Sequence, residues 1–391
     1  MALARAFSCF IVALQLAAAV QIVFAQRSEA LPAQVKVQLF CGRQSPEYKY
    51  VNIYGPCEII EPHRQRLGAL AYEIEPAAGG ITIREPGKGG GKHVLTVHGK
   101  LVIKGLGSTV KLSRIDETPR SYRGTVTFLR RSGDSDLTVI NEVDTRSYIT
   151  SCVGSEILPG FYKEAIKAQA VLSTTLLERH YRGKPLLDST QEQSYLGATA
   201  ERPEVKAAVD SVFGQQLYYK DKPIDVFFCS TCGGTTALPE MFGGKVAEGR
   251  YPYLKEVTCN FCKGSPFFKD HEETIGSMSF HEKTDLVNPR VLADRLGRPT
   301  KVEVTRNGYK SVKDGYQFWL LLGKSFGWGF VPSTRYNIVL YPDAIKFSSR
   351  GCGHGVGMCQ WGANGQAKAG RGYKEILNFY FPGTRLKRPG R

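Results

Sequence analysis

From Gln34 to about Val143 apolar and polar residues alternate with a period of two. VKVQLF, LAYEIEP, ITIREP, VLTVHGKLVIKG, GTVTFLRR and LTVINEV each read as a strand, set apart by glycine, proline or charged turns. The period then changes. Pro159-Gly160 precedes a helical pattern that runs from Phe161 to about His180. A second helix is predicted to open at Pro203, a favoured first-turn residue. Its Val205, Ala208, Val209 and Val212 fall at i, i+3, i+4 and i+7, one buried stripe. Strand signals return at IDVFF, KVEVTR, YQFWLLL and YNIVLYP, and short helices are expected around Gly362–Gly370 and Tyr373–Tyr380. The pattern predicts an α+β protein: a β-rich N-terminal region, a mixed α/β core, and a cleft between them.

Composition changes this picture at both ends. MALAR followed by a charge-free apolar stretch and by VFA before Gln26 reads as a secretory signal peptide, residues 1–25. The apolar run also approaches the length of a membrane span, so an uncleaved anchor is the alternative. Either way the folded part belongs in the periplasm, in the cell envelope or outside the cell, which argues against nucleic acid as a partner. The expected organisation is then 26–140 β-rich, 141–386 mixed core with a cysteine-rich insertion at 229–262, and 387–391 a basic tail. The 391 residues carry a net charge of +16, suited to an acidic polysaccharide or an anionic surface.

Ten cysteines divide unevenly. Cys9 lies in the leader, and the odd number left means a free thiol or thiols committed to a metal. Cys41 and Cys57 stand apart and are the disulfide candidate. Cys229-Ser230-Thr231-Cys232 and Cys259-Asn260-Phe261-Cys262 have the ligand type and within-pair spacing of a tetrahedral zinc site. Such a site is structural, because four thiolates leave no open position; an oxidising compartment offers disulfides instead.

Two further stretches carry chemistry. In SCVGSEILPGFYKEAIKAQAV, Glu156 is placed where a strand region ends, before a proline-containing turn into a helix. Cys152, Val153, Ile157 and Leu158 make its surroundings apolar, which raises a carboxyl pKa and suits a general acid. The plainer alternative is an acidic residue favoured by a helix N-terminus. In GCGHGVGMCQWGANGQ, residues 351–366, six glycines surround His354, Gln360 and Trp361. His354 is left with three roles: orienting a substrate, pairing with Glu156, or capping a turn. Cys352 and Cys359 flank it, paired with each other or with Cys152.

The order of β region, SEILPGFYKEAIKAQAV, QEQSYLG, VFFCSTCGGTT, YPYLKEV and GCGHGVGMCQWGANGQAKAGRGYKEILNFYFPGT resembles the SpoIID/LytB family, over about Val35 to Thr384. The resemblance implies a lytic transglycosylase that cuts peptidoglycan glycan strands, preferentially those stripped of stem peptides. It assigns Glu156 as the catalytic glutamate and places Gln193, Tyr195, His354 and Gln360 in the sugar cleft, with Trp361 free to stack on a pyranose. It also supports metal at Cys229 and Cys232, and no organic cofactor. Three positions depart from the family pattern. Thr174 stands for an arginine, Cys229 for a histidine and Trp361 for a tyrosine. The first lends weight to a non-catalytic, wall-binding enhancer of a cell-wall amidase; a hydrolase with Glu142 or Asp144 as base is a third expectation.

Overall fold

The computed structural model describes residues 31–41, 50–78, 80–88, 91–114, 117–130, 136–190, 192–242 and 249–389; the expected signal peptide lies outside the described residues. The strand Gln34–Gln38 buries Val35 and Val37 and turns Gln34 and Lys36 outward, as its alternation requires. It pairs antiparallel with Thr138–Asp144, Val35 opposite Val143. These two belong to a seven-stranded sheet ordered Leu186–Leu187, Gln34–Gln38, Thr138–Asp144, Thr125–Leu129, Lys100–Gly105, Cys57–Glu61, Gln65–Leu67. A six-stranded sheet runs Arg120–Tyr122, Val110–Arg114, Val51–Tyr54, Ala71–Ala77, Gly80–Glu85, Lys92–Val97. Ile59, Ile103, Val126 and Phe128 of the first sheet share one buried core with Ile53, Ile74, Ile83 and Leu112 of the second.

That core continues into helices. Helix α1, Thr145–Glu156, follows directly on the last long strand, and the Asp144 carboxylate caps it by accepting the Ser147 N–H at 2.9 Å. Glu156 therefore ends a helix and not a strand region. Thr145, Ile149, Thr150 and Val153 are β-branched, which explains the misleading strand-like composition. Helix α2, Lys163–His180, is buried along most of its length, and α3, Pro203–Val212, buries the four residues of its predicted stripe. Both pack with α1.

A second core was not foreseen. Helices α4, Ser277–Thr284, and α5, Gly315–Phe326, pack with six strands between His271 and Ser349 around Phe280, Val302, Val304, Phe318, Leu322 and Phe347. This second core lies within the stretch expected as mixed core, C-terminal to the cysteine-rich 229–262. YQFWLLL lies within α5 and is not a strand. Asp314 accepts the Tyr316 and Gln317 N–H groups, and Phe318, Trp319 and Leu322 are buried at helical spacing. From IDVFF only Phe228, with Cys229, enters a strand. Helices α6, Gln360–Lys368, and α7, Tyr373–Tyr380, close the chain as expected, and Arg385–Lys387 pairs with Gln216–Tyr219.

The expected Cys41–Cys57 bridge is not formed; the described cysteines are free thiols. Cys57 is sealed in the sheet opposite Leu67 and Gly105, while Cys41 turns back on the Gln38 carbonyl at 3.2 Å. Burial pushes both thiols up to about 11. Among the described residues no helix is long and apolar enough to cross a membrane.

Gly154 sets how closely α1 approaches the turn at Ala200: a Cβ there would lie 2.0 Å from the Ala200 carbonyl oxygen. Gly154→Ala is expected to cost about 1–3 kcal/mol, the usual penalty of overpacking, read from urea midpoints at unchanged m-value.

Candidate functional site

Glu156 hangs from the last turn of α1. The Arg202 guanidinium clasps that turn, with Nη1 donating to the Gly154 carbonyl at 2.9 Å and Nη2 to the Ile157 carbonyl at 2.7 Å. The half-buried carboxyl accepts the Ser194 N–H at 2.9 Å and a side-chain hydrogen bond from Gln360. Loss of solvent outweighs both bonds, so its pKa is raised above the usual carboxylate value. Beyond it the turn leading to α2 exposes Leu158, expected among the apolar surroundings of Glu156, together with Tyr162, which the sequence did not single out.

The other expected site residues divide. Gln360 does meet Glu156; it is itself buried, and its Nε2 donates to Gln169 Oε1 at 3.4 Å. Gln193 and Tyr195 do not line a cleft. Gln193 is wholly buried, donating to the Ser173 carbonyl at 3.4 Å, and Tyr195 donates to Asn141 Oδ1 at 2.6 Å beneath Tyr148 and Tyr122. In QEQSYLG it is the backbone of Ser194, between them, that reaches the carboxyl. Gln169 and Ser173, one turn apart on α2, sit behind Gln360 and Gln193 and were also missed. Their spacing of four on a helix whose other buried residues are Ala, Val, Ile, Leu and Thr was the available signal.

His354 is a pin. Its Nε2 donates to the Phe228 carbonyl at 2.9 Å and its Nδ1 accepts the Val356 N–H at 3.1 Å, which fixes a neutral ring with both nitrogens used. Burial lowers its pKa to about 4. Of the three roles open to it, the turn-capping one matches this geometry. Trp361 is half-buried, edge-on to Phe161 at 5.2 Å, and Asn364 accepts the Tyr162 N–H at 2.8 Å. Together these contacts fasten the end of the glycine-rich segment to the rim of the Glu156 site.

Four thiols converge beside it. The sulfurs of Cys232, Cys259, Cys262 and Cys359 all lie within 4.8 Å of one another, and all four residues are buried. Cys229, expected in this set, is absent from it and Cys359 takes its place. The Cys229 side chain packs instead against Gly353, where burial pushes the thiol up to about 12. Cys232 reaches the cluster after the chain turns. The odd cysteine count hinted at a ligand from outside the two C-x-x-C pairs.

A fold of this class, with a mixed helical core carrying one desolvated glutamate at a helix end, also shows its kinship in sequence. The family model described as SpoIID, Stage II sporulation protein, matches residues 133–219, which span α1, α2 and α3. An uncharacterised protein of Brachyspira hyodysenteriae is 31% identical over 282 residues, 67% of this chain and 71% of that one. The stage II sporulation protein D of Bacillus subtilis is 26% identical over 305 residues, 71% of this chain and 83% of that one. The amidase enhancer of the same organism is 26% identical over 319 residues, 70% of this chain and 45% of its own length. The chain belongs to the SpoIID/LytB family.

Two pH effects follow. A Glu156 carboxyl whose folded pKa is raised destabilises the fold once pH exceeds its unfolded value, so Glu156→Gln should melt above wild type at pH 7 and converge with it in acid. A His354 lowered from 6.5 to about 4 keeps its contribution above pH 6.5 and loses roughly 3 kcal/mol as pH falls to 4. His354→Gln should flatten that part of the stability–pH curve, measured by chemical denaturation at each pH.

Proposed function

We propose that this protein acts on the cell wall as a lytic transglycosylase of peptidoglycan glycan strands, with Glu156 as its general acid and then base. The observation that carries the proposal is the carboxyl itself: half-buried, raised in pKa by desolvation, and held by the Ser194 N–H and Gln360 at the open end of a helix. Family relatives named for sporulation and for amidase enhancement supply the cell-wall context. Protonated Glu156 gives its proton to the glycosidic oxygen between N-acetylmuramic acid and N-acetylglucosamine. The muramic C6 hydroxyl then attacks its own anomeric carbon while the glutamate takes the hydroxyl proton, leaving a 1,6-anhydro end. One carboxyl serves both steps.

The geometry speaks against the hydrolase alternative. Asp144 caps the N-terminus of α1 and Glu156 ends it, 12 residues on, which at about 1.5 Å per residue separates them by about 18 Å. Paired glycosidase carboxyls stand roughly 5–9.5 Å apart. Glu142 lies further back along the strand. The basic surplus suits stripped glycan, whose muramic residues each bear a lactyl carboxylate. The second reading, a non-catalytic partner of a cell-wall amidase, draws on the amidase-enhancer relative and on Thr174.

Mass spectrometry of peptide-free glycan after incubation separates the readings: anhydro ends are expected, whereas reducing ends indicate a hydrolase and intact strands a binder. Glu156→Gln should lower turnover by about 10²–10⁴-fold while retaining glycan binding. Wild-type turnover in that variant would remove Glu156 from the chemistry.

A further inference from the structure

We infer that Cys232, Cys259, Cys262 and Cys359 form a four-thiolate zinc centre, with the buried Arg298 as its counter-cation, that locks the start of α6 in place. Zinc–sulfur bonds of about 2.3 Å in a tetrahedron put the sulfurs about 3.8 Å apart. The Cys232 and Cys262 sulfurs stand at 3.8 Å. A disulfide needs about 2.05 Å.

Hydrogen-bond donors are already aimed at the sulfurs. The Cys232 and Gly362 amides each approach the Cys359 sulfur at 3.3 Å, and the Tyr380 hydroxyl approaches that of Cys259 at 3.2 Å. Donors so arranged favour thiolates over thiols. The packing is tight as well: a Cβ at Gly362 would lie 2.5 Å from the Cys259 sulfur.

Charge supplies an independent argument. Arg298 is 4% exposed, and its guanidinium donates to Thr334 Oγ1, the Cys232 carbonyl and the Thr235 carbonyl, all neutral acceptors. Among the described residues it forms no ion pair with a carboxylate. A buried cation without a counter-ion is costly. Four thiolates around one dication carry two negative charges, and Arg298 already touches the backbone of one ligand.

The centre joins segments far apart in sequence. Cys359 caps α6, accepting the Gly362 N–H, and the next residue, Gln360, is the one that meets Glu156. The consequence for Glu156 rests on the proposed glycan chemistry; the metal assignment does not.

The full-length protein, purified without added metal, is expected to hold one zinc per chain by elemental analysis. After exchange it should give the intense tetrahedral thiolate spectrum of cobalt(II). Cys359→Ser should lose the metal and Cys229→Ser should keep it. Arg298→Met should weaken zinc retention against a chelator by about 10–100-fold, the usual effect of removing an outer partner, with Arg298→Lys in between. Metal-free protein carrying disulfides among these cysteines would overturn the inference. So would zinc kept by Cys359→Ser and lost by Cys229→Ser. Neither result touches glycan cleavage, whose failure would appear separately in the strand assay.

Discussion

A two-residue parallel ladder, Phe228–Cys229 against Met358–Cys359, is the joint on which the site depends. It brings the first C-x-x-C pair and the glycine-rich segment side by side although the whole second core lies between them in sequence. The joint is possible only because Gly357 has no side chain: a Cβ there would sit 2.0 Å from the Phe227 carbonyl oxygen, at a φ of +75°. From this one contact follow the pinned ring of His354, the entry of Cys359 into the thiol cluster and the placing of Gln360 at Glu156. Glycines of 351–366 such as Gly351, Gly357 and Gly365 thus admit the protein's own backbone.

The carboxyl at the other side of the site is held by opposing demands. An acid that must keep its proton near neutrality needs loss of water, yet each hydrogen bond given to the charged form lowers its pKa again. Here two bonds are present and burial prevails. Arg202 helps hold the arrangement without cancelling it, since its guanidinium spends its hydrogen bonds on the Gly154 and Ile157 carbonyls and on Glu204. It fixes the turn, and the carboxyl keeps its apolar surroundings.

Period-two alternation told the strands of the N-terminal sheets apart because one face of each packs on a common core. The stripe of α3 was legible for the same reason. Helix α1 was hidden by its β-branched residues, although Asp144 followed by Ser147 was a cap in plain view. The seven apolar residues of YQFWLLL carried both periods at once, and only Asp314 at the cap argued for helix. Glu156 was legible because three of its apolar neighbours in sequence, Cys152, Val153 and Ile157, are buried around the end of α1. Gln193 and Tyr195 were placed in the cleft by resemblance alone, and a polar side chain serves the core as readily once it finds a buried partner, as these do in Ser173 and Asn141. Cys229 could not be told from Cys359 by spacing, since tertiary packing, absent from any local pattern, decides which sulfur reaches the cluster.

Thr174 bears on the same balance. It is buried on α2, with its hydroxyl donating to the Ala170 carbonyl at 2.8 Å, in a helix packed through small residues. A guanidinium at that place, as the family pattern has it, would draw the pKa of a nearby carboxyl down. With threonine there, the raised pKa of Glu156 comes from burial, opposed by its bonds to Ser194 and Gln360. For the proposed mechanism this has two consequences. A raised pKa keeps the proton on the carboxyl to higher pH, yet makes it a weaker acid when the glycosidic oxygen takes that proton. The same shift makes its carboxylate the stronger base when the muramic C6 hydroxyl gives its proton up, so one carboxyl acting twice loses strength in the first step and gains it in the second.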